Sequence, residues 1–334
     1  MTPAPFTLRY LRRPAFDALS DADRAGILGV IGYGVTRPER LHRDCPFAAS
    51  GFTPIGQDAA FEIWSSPGPV RYEKRGRIAA ALAEAVTFGV LEVTERPDEP
   101  LEIAVRDAYL EILGFLAEIG HATPIRFWNY LPDITADQQG LERYRRFNIG
   151  RHDAFSAALG LPLPPVASGV GTRTGTPLIY FLAAPDAALT IENPRQVSAY
   201  DYPTVYGPRS PRFSRAAIHG RDDAPCLMIS GTASIVGHES LHRGDPAAQI
   251  GETFANLDAL VGEARRLGFP QGPGGWACKI YLRDPVLESA VAARIDEAFG
   301  PDCDRVYLAA DICRPELLLE IEAFCRPDIR HTAP

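Results

Sequence analysis

The stretch LPLPPVASGVGTRTGTP, residues 161–177, divides the 334-residue chain near its middle. Proline and glycine at that density interrupt both helix and strand, so neither element runs through it and each side has to bury its own apolar face. The division predicts two domains, residues 1–160 and 161–334, and a chain of this length is more than one average domain needs. Short apolar runs alternate with longer amphipathic stretches on both sides. That alternation predicts an α/β (α+β) fold of mixed sheets packed by helices.

Before the division, GILGVIGYGV and AAFEIWSS read as buried strands. RIAAALAEAVTFGVL, PLEIAVRDAYLEILGFLAEI and DQQGLERYRRFNIGRHDAFSAAL read as helices, the second carrying apolar residues at Ile103, Ala104, Ala108, Ile112 and Leu113. Beyond it, LIYFLAA, APCLMIS, GWACKIYLRD and DRVYLAADI read as strands, with helices expected over 247–267 and PVLESAVAARIDEAFG. In ELLLEIEAF, Glu316 and Glu320 have helical spacing, but Leu317, Leu319, Ile321 and Ala323 alternate with the residues between them. The alternation favours a strand.

Forty-two acidic residues against 34 basic ones give a net charge of −8, which argues against a surface built to track a nucleic-acid backbone. No apolar window reaches the length of a membrane span, and MTPAPFTLRYLRRPAF lacks the apolar core of an export signal. A cytoplasmic protein is expected. The six cysteines, at 45, 226, 278, 303, 313 and 325, form no CxxC pair and read as reduced, mostly buried thiols.

His238-Glu239-Ser240-Leu241-His242 has the H-E-x-x-H spacing of zinc peptidases, a chemistry that requires a helix holding both histidines on one face. Gly237 precedes it and Arg243-Gly244-Asp245-Pro246 follows, leaving no room for that helix. A strand-turn segment with locally hydrogen-bonded histidines is expected, with no metal. Gly169, Gly171 and Gly175 miss dinucleotide-loop spacing and lead into an apolar strand.

Arginines gather in two places, Arg143, Arg145, Arg146 and Arg151 in one half and Arg209, Arg212 and Arg215 in the other, the latter among tyrosines. Guanidinium groups grip carboxylates through paired hydrogen bonds, so the two clusters suggest an anion site between the halves. Glu320 stands among Leu317, Leu318, Leu319 and Ile321. A carboxyl so placed either has a raised pKa suited to a general acid or pairs with an arginine. Cys313 taken alone reads as a buried thiol.

Five segments, FWNYLPDI, ERYRRFNIGRHDAFSAALG, IENPRQVSAYDYPTVYGPRSPRFSRA, MISGTASIVGHESLH and YLAADICRPELLLEIEAF, together resemble the chorismatase family, more closely its bacterial hydroxybenzoate synthases. The resemblance runs from about residue 125 to 325. It implies two domains like those of the reactive intermediate deaminase superfamily, chorismate as substrate at their interface, release of pyruvate, no metal or organic cofactor, and a monomer or small homo-oligomer. The family's catalytic acid falls on Glu320, and its substrate-holding positions on Tyr202 and Arg215. Arg143 and Tyr130 are carried over as partners of the second carboxylate, with Arg151 a further one. Gly231 and Cys313 match the benzoate-forming branch, which implies an intramolecular arene-oxide-like route with Cys313 assisting catalysis, giving 3-hydroxybenzoate, with 4-hydroxybenzoate as a second product. The alternatives are hydrolysis to a dihydroxycyclohexadiene carboxylate and a non-catalytic binding module for an aromatic or keto acid.

Overall fold

Leu178–Ala184 is a strand buried on both faces: Leu178, Tyr180 and Leu182 enter one apolar layer, Ile179, Phe181 and Ala183 another. Such two-sided burial marks an interior strand between packed layers. The computed structural model describes residues 6–56, 60–121, 123–158, 163–220, 224–270 and 275–326.

The chain opens with a small sheet of order β1-β5-β2-β3, made of β1 (Thr7–Arg12), β2 (Ile27–Tyr33), β3 (Phe47–Ala49) and β5 (Ala60–Ser65). Short helices α1 (Arg13–Asp17) and α2 (Asp21–Ala25) lie between its first two strands, and β4 (Thr53–Pro54) leaves to join another sheet. A six-stranded sheet follows. Its strands are β6 (Arg71–Arg75), β7 (Ile78–Leu82), β8 (Thr87–Glu92), β9 (Thr123–Pro132), β12 (Val166–Thr172) and β13 (Leu178–Ala184). Helix α3 (Leu101–Ile119) precedes β9, and a hairpin of β10 (Asp137–Gln138) and β11 (Leu141–Glu142) leads into α4 (Arg143–Ala157).

The third sheet uses β14 (Leu189–Ile191), β15 (Ala216–His219), β16 (Cys226–Thr232), β19 (Trp276–Leu282), β20 (Asp304–Ala309) and β21 (Leu319–Cys325), with β4 on its far edge. Helix α5 (Pro246–Arg266) precedes β19, helix α6 (Glu288–Phe299) follows it, and a ribbon of β17 (Ile235–Val236) and β18 (Glu239–Ser240) follows β16.

The two large sheets repeat one topology. Their orders are β6-β7-β8-β13-β9-β12 and β14-β15-β16-β21-β19-β20, and in each the fourth and fifth strands in chain order pair in parallel across a helix while every other pairing is antiparallel. Helices α3 and α4 cover the outer face of the first sheet, and α5 and α6 that of the second. The inner faces and the small sheet share one further apolar layer, with Trp64, Trp128, Tyr180, Tyr281 and Phe324 among its members.

Three sequence expectations change. RIAAALAEAVTFGVL is the β7-β8 hairpin, closed by the amide of Ala83 donating to the carbonyl of Val86 at 2.9 Å. Alanine's helix propensity is a weak preference, and sheet burial of Ile78, Ala80, Phe88 and Val90 overrides it. The third expected helix begins only at Arg143, because Gln139 and Gly140 adopt positive φ (54° and 81°) in the β10-β11 turn. The boundary at 160/161 lies outside the described residues, yet β12 and β13 after it pair with β9 and β8 before it. Contrary to the expectation that no element runs through it, the Pro/Gly cluster itself contains β12, a strand of this sheet, and the passage to the next sheet falls between Ala184 and Leu189. Among the described residues no helix is long and apolar enough to cross a membrane.

Candidate active site

On β21, Leu319, Ile321 and Ala323 pack beneath the outer helices, so Glu320 and Glu322 point to the inner face. Glu320 is 5% exposed, and none of the described residues hydrogen-bonds its carboxyl. Burial, reinforced by the neighbouring charge of Glu322, pushes its pKa to about 8 against the opposing pull of Arg126 and Arg215. Glu322 behaves oppositely. Burial alone would raise it, but Lys279 and Arg126 outweigh that and hold it below the ordinary carboxylate range.

Gly231 makes room for Glu320. The pairing of β16 with β21 slips between Ile229 and Thr232, which bulges the strand at Ser230 and Gly231. A Cβ placed on Gly231 would lie 1.7 Å from Glu320 Oε1 and 2.5 Å from its Cδ. The Gly231 amide donates to Ser168 Oγ (2.8 Å), which also accepts from Arg126 Nη2 (2.8 Å), so the bulge is tied to the other repeat.

Above Glu320 lies a cavity of about 350 Å³ between the repeats. Tyr144 and Arg145 of α4 and Ser168 of β12 line one side; Tyr202, Tyr206, Arg215, Gly231, Cys313 and Arg314 line the other. Arg215 Nη2 donates to the Tyr202 hydroxyl (2.7 Å) and to the Val197 carbonyl (3.3 Å). No carboxylate of the described residues pairs with the Arg215 guanidinium. Arg314 packs over the Tyr206 ring at 4.0 Å and donates from Nη1 to the His238 carbonyl (2.9 Å) and Ser240 Oγ (3.0 Å). It too has no carboxylate partner within ion-pair distance among the described residues. Burial, with Glu320 second, pushes the Cys313 thiol up to about 12, so it stays protonated at neutral pH.

Glu320, Cys313, Tyr202, Arg215 and Gly231 thus line one cavity. Arg143, Tyr130 and Arg151 do not line it. Arg143 is the first residue of α4 and turns away, gripping Glu95 through two bonds (2.8 and 2.7 Å) and donating to the Pro132 carbonyl at 3.0 Å. Tyr130 is wholly buried beneath the site, bonded to Lys279 Nζ (3.0 Å), Tyr180 (2.8 Å) and Tyr281 (3.1 Å). Arg151 lies two turns into α4, buried against Phe147 (5.0 Å to the ring) and donating to Asn148 Oδ1 at 3.4 Å. Arg314, Tyr144 and Ser168 escaped sequence reading. Arg314 directly follows Cys313 and Tyr144 directly follows Arg143, so adjacency was the available signal.

Of the H-E-x-x-H histidines, His238 sits on the turn between β17 and β18 and His242 on a bend after β18, so no helix holds them, though the partner of His238 is distant in sequence. His238 Nδ1 meets the Tyr206 hydroxyl at 3.1 Å, while His242, at φ 57°, meets Glu252 Oε2 at 3.0 Å. Among the described residues no three His, Cys, Asp or Glu side chains are grouped to hold a metal ion.

Two like α/β repeats, a buried neutral carboxyl and, between them, Arg215 and Arg314 without an ion-pair partner among the described residues make a pocket suited to acid chemistry on a small anion. Residues 62–183 match the family model described as the N-terminal domain of FkbO/Hyg5-like chorismatases. A 3-hydroxybenzoate synthase from Streptomyces hygroscopicus is 36% identical over 89% of this chain and 90% of its own. A chorismatase from Streptomyces rapamycinicus is 34% identical over 96% and 99%. The crystal structure of a chorismatase, 29% identical, superposes with a TM-score of 0.86 and covers 97% of this chain and 99% of that one. The chain belongs to the chorismatase family.

Proposed function

We propose that this enzyme converts chorismate to 3-hydroxybenzoate and pyruvate, with Glu320 as the acid. The observation that carries the reading is a buried carboxyl, neutral up to about pH 8, at the floor of an arginine-lined cavity. Glu320 gives its proton to the methylene carbon of the enolpyruvyl ether, making an oxocarbenium-like centre that weakens the bond from the ether oxygen to ring C3. The ring C4 hydroxyl attacks C3, pyruvate leaves with the ether oxygen as its carbonyl, and the hydroxyl proton restores the acid. The arene oxide that results opens at its C4–O bond and loses a ring proton to give 3-hydroxybenzoate. Opening at C3–O gives 4-hydroxybenzoate as a second product. Only protons move, so the route calls for no redox cofactor.

Arg215 and Arg314 are the proposed carboxylate holders, since each already spends hydrogen bonds on neutral oxygens and has no carboxylate within ion-pair distance among the described residues. Tyr202 orients Arg215 through its hydroxyl. Cys313, protonated in this setting, serves as a neutral donor and as apolar bulk that keeps water from C3, where attack would give the dihydroxycyclohexadiene acid instead. A monomer or small homo-oligomer is the proposed state. Free thiols at Cys45, Cys226, Cys278, Cys303 and Cys313 suit a reducing compartment, and the cytoplasm is the proposed location.

The test is a product profile from chorismate, with pyruvate followed by a coupled lactate dehydrogenase. Hydroxybenzoate and pyruvate in equal amounts are expected. A dihydroxycyclohexadiene carboxylate alone rejects the benzoate route, and an absence of pyruvate leaves a binding module.

A further inference from the structure

Beneath the cavity the two inward carboxyls of β21 are treated unequally. Glu322 Oε2 accepts a hydrogen bond from Trp128 Nε1 at 2.7 Å and lies within ion-pair distance of Arg126 Nη2 (3.2 Å) and Lys279 Nζ (3.6 Å), and its Oε1 accepts from the Tyr281 hydroxyl at 3.1 Å. Glu320, two residues away on the same face and so about 7 Å along the strand, receives none of them. Trp128, Tyr281, Arg126 and Lys279 are all directed to Glu322 instead. The cations are themselves fixed. Lys279 Nζ is bound to Glu62 Oε2 (2.7 Å) and to the hydroxyls of Tyr180 (2.7 Å) and Tyr130 (3.0 Å), and Arg126 to Ser168.

We infer that Glu322 is a positioning residue for the acid: its permanent negative charge, pinned by Arg126 and Lys279, keeps the Glu320 carboxyl in its protonated form, and Arg126 is the cation that receives the carboxylate once the proton has gone. Arg126 Nη1 is buried and has no acceptor, so the guanidinium retains a hydrogen-bonding position for this second duty. The inference rests on the reading of Glu320 as the acid.

The groups that bear on Glu320 are Arg126 on β9, Arg215 before β15, Glu322 on β21, Cys313 with Arg314 in the preceding loop, and Tyr144 on α4. Tyr281 of β19 pairs with it across the sheet. At neutral pH Cys313 and Tyr144 are uncharged, both held above their ordinary range by burial; Glu142 and Glu316 line the same cavity and bear on Cys313, while Glu322 is the anion that bears on Glu320 itself.

Glu322→Gln keeps the shape and an acceptor for Trp128 while removing the charge; Arg126→Gln removes the cation. The alkaline limb of the kcat profile is expected to move down by about one pH unit or more in the first and up in the second, as loss of a near anion or cation requires. A second readout uses no turnover: the infrared band of the protonated carboxyl, identified by its absence in Glu320→Gln, titrates at correspondingly lower and higher pH. Opposite displacements cannot come from general damage to the fold. If Glu322→Gln does not fold, Arg126→Gln alone decides by the same upward displacement. Rate losses uniform across pH, with the infrared titration unmoved, overturn the inference while an inactive Glu320→Gln leaves the function standing. An active Glu320→Gln removes the function itself.

Discussion

Glu320 carries the largest electrostatic cost in the cavity floor, and its titration is visible in stability as well as rate. Its folded pKa, about 8, lies above the ordinary 4.5 because burial penalises the charged form. The folded state therefore binds this proton more tightly than the unfolded chain does. Stability attached to it is complete below about pH 4.5 and is lost as pH rises through about 8. Glu320→Gln is expected to be more stable than the parent at pH 9 by on the order of a few kcal/mol, and so to unfold at a higher temperature there, and to match it near pH 5. Thermal melts at the two pH values check this, and equal melting at pH 9 would contradict it. In the parent, kcat is expected to be flat below about 8 and to fall tenfold per unit above it.

Gly231 offers a sharper residue-scale prediction. A methyl group there overlaps the Glu320 carboxyl at 1.7 Å, and that carboxyl must swing away from the bulge. Gly231→Ala is expected to lose about 10²-fold in kcat, as misplacement of a reacting group by about an ångström does, with folding retained. Single-turnover rates beside circular dichroism test it. The chemical character of Glu320 was legible in the sequence because a carboxyl flanked by leucines has few fates. Arg314 and Tyr144 were not, since their place depends on which way a loop and a helix start turn, and Arg143 was misplaced for the same reason.

At the scale of elements, the loop from Ala310 to Leu318 carries Cys313 and Arg314, and α5 holds it. Gln249, fully buried on α5, accepts from the Leu318 amide (2.9 Å) and donates to the carbonyls of Glu316 (2.9 Å) and His242 (3.2 Å). Gln249→Met fits the volume but strands three backbone groups. A loss of about 1–3 kcal/mol is expected, together with a raised KM as Arg314 loses its fixed place; unchanged denaturant midpoint and KM would refute this. Strands β13, β16, β19, β20 and β21 were legible as apolar or alternating runs bounded by turns. The β7-β8 hairpin was not, because Ala79, Ala80 and Ala81 say little about period and only pairing with β6 and β13 decides their form.

Across the whole molecule, the duplicated topology was hidden from sequence by substitution on the inward face. With the inward tyrosines Tyr130 and Tyr281 taken as equivalent, the cross-strand pair Lys279 and Glu322 in one repeat faces Trp128 and Tyr180 in the other, stacked at 4.5 Å, and the partner of Glu320 is Leu178. One repeat keeps the charges and the acid; its counterpart is aromatic and apolar at the same places. Only one reacting centre per chain follows. Calorimetric titration with an unreactive chorismate analogue is expected to give one molecule bound per chain, and a value of two would refute the assignment.

Glu62, which pairs with Lys279, comes from neither repeat but from the opening sheet, where Trp64 and Tyr33 also bond to it. The leading segment is accordingly a keystone and no mere appendage. Remove it, and an ammonium group sealed among tyrosines loses its nearest counterion, so a shortened chain holding both repeats would retain every cavity-lining side chain and still forfeit the electrical balance on which they stand.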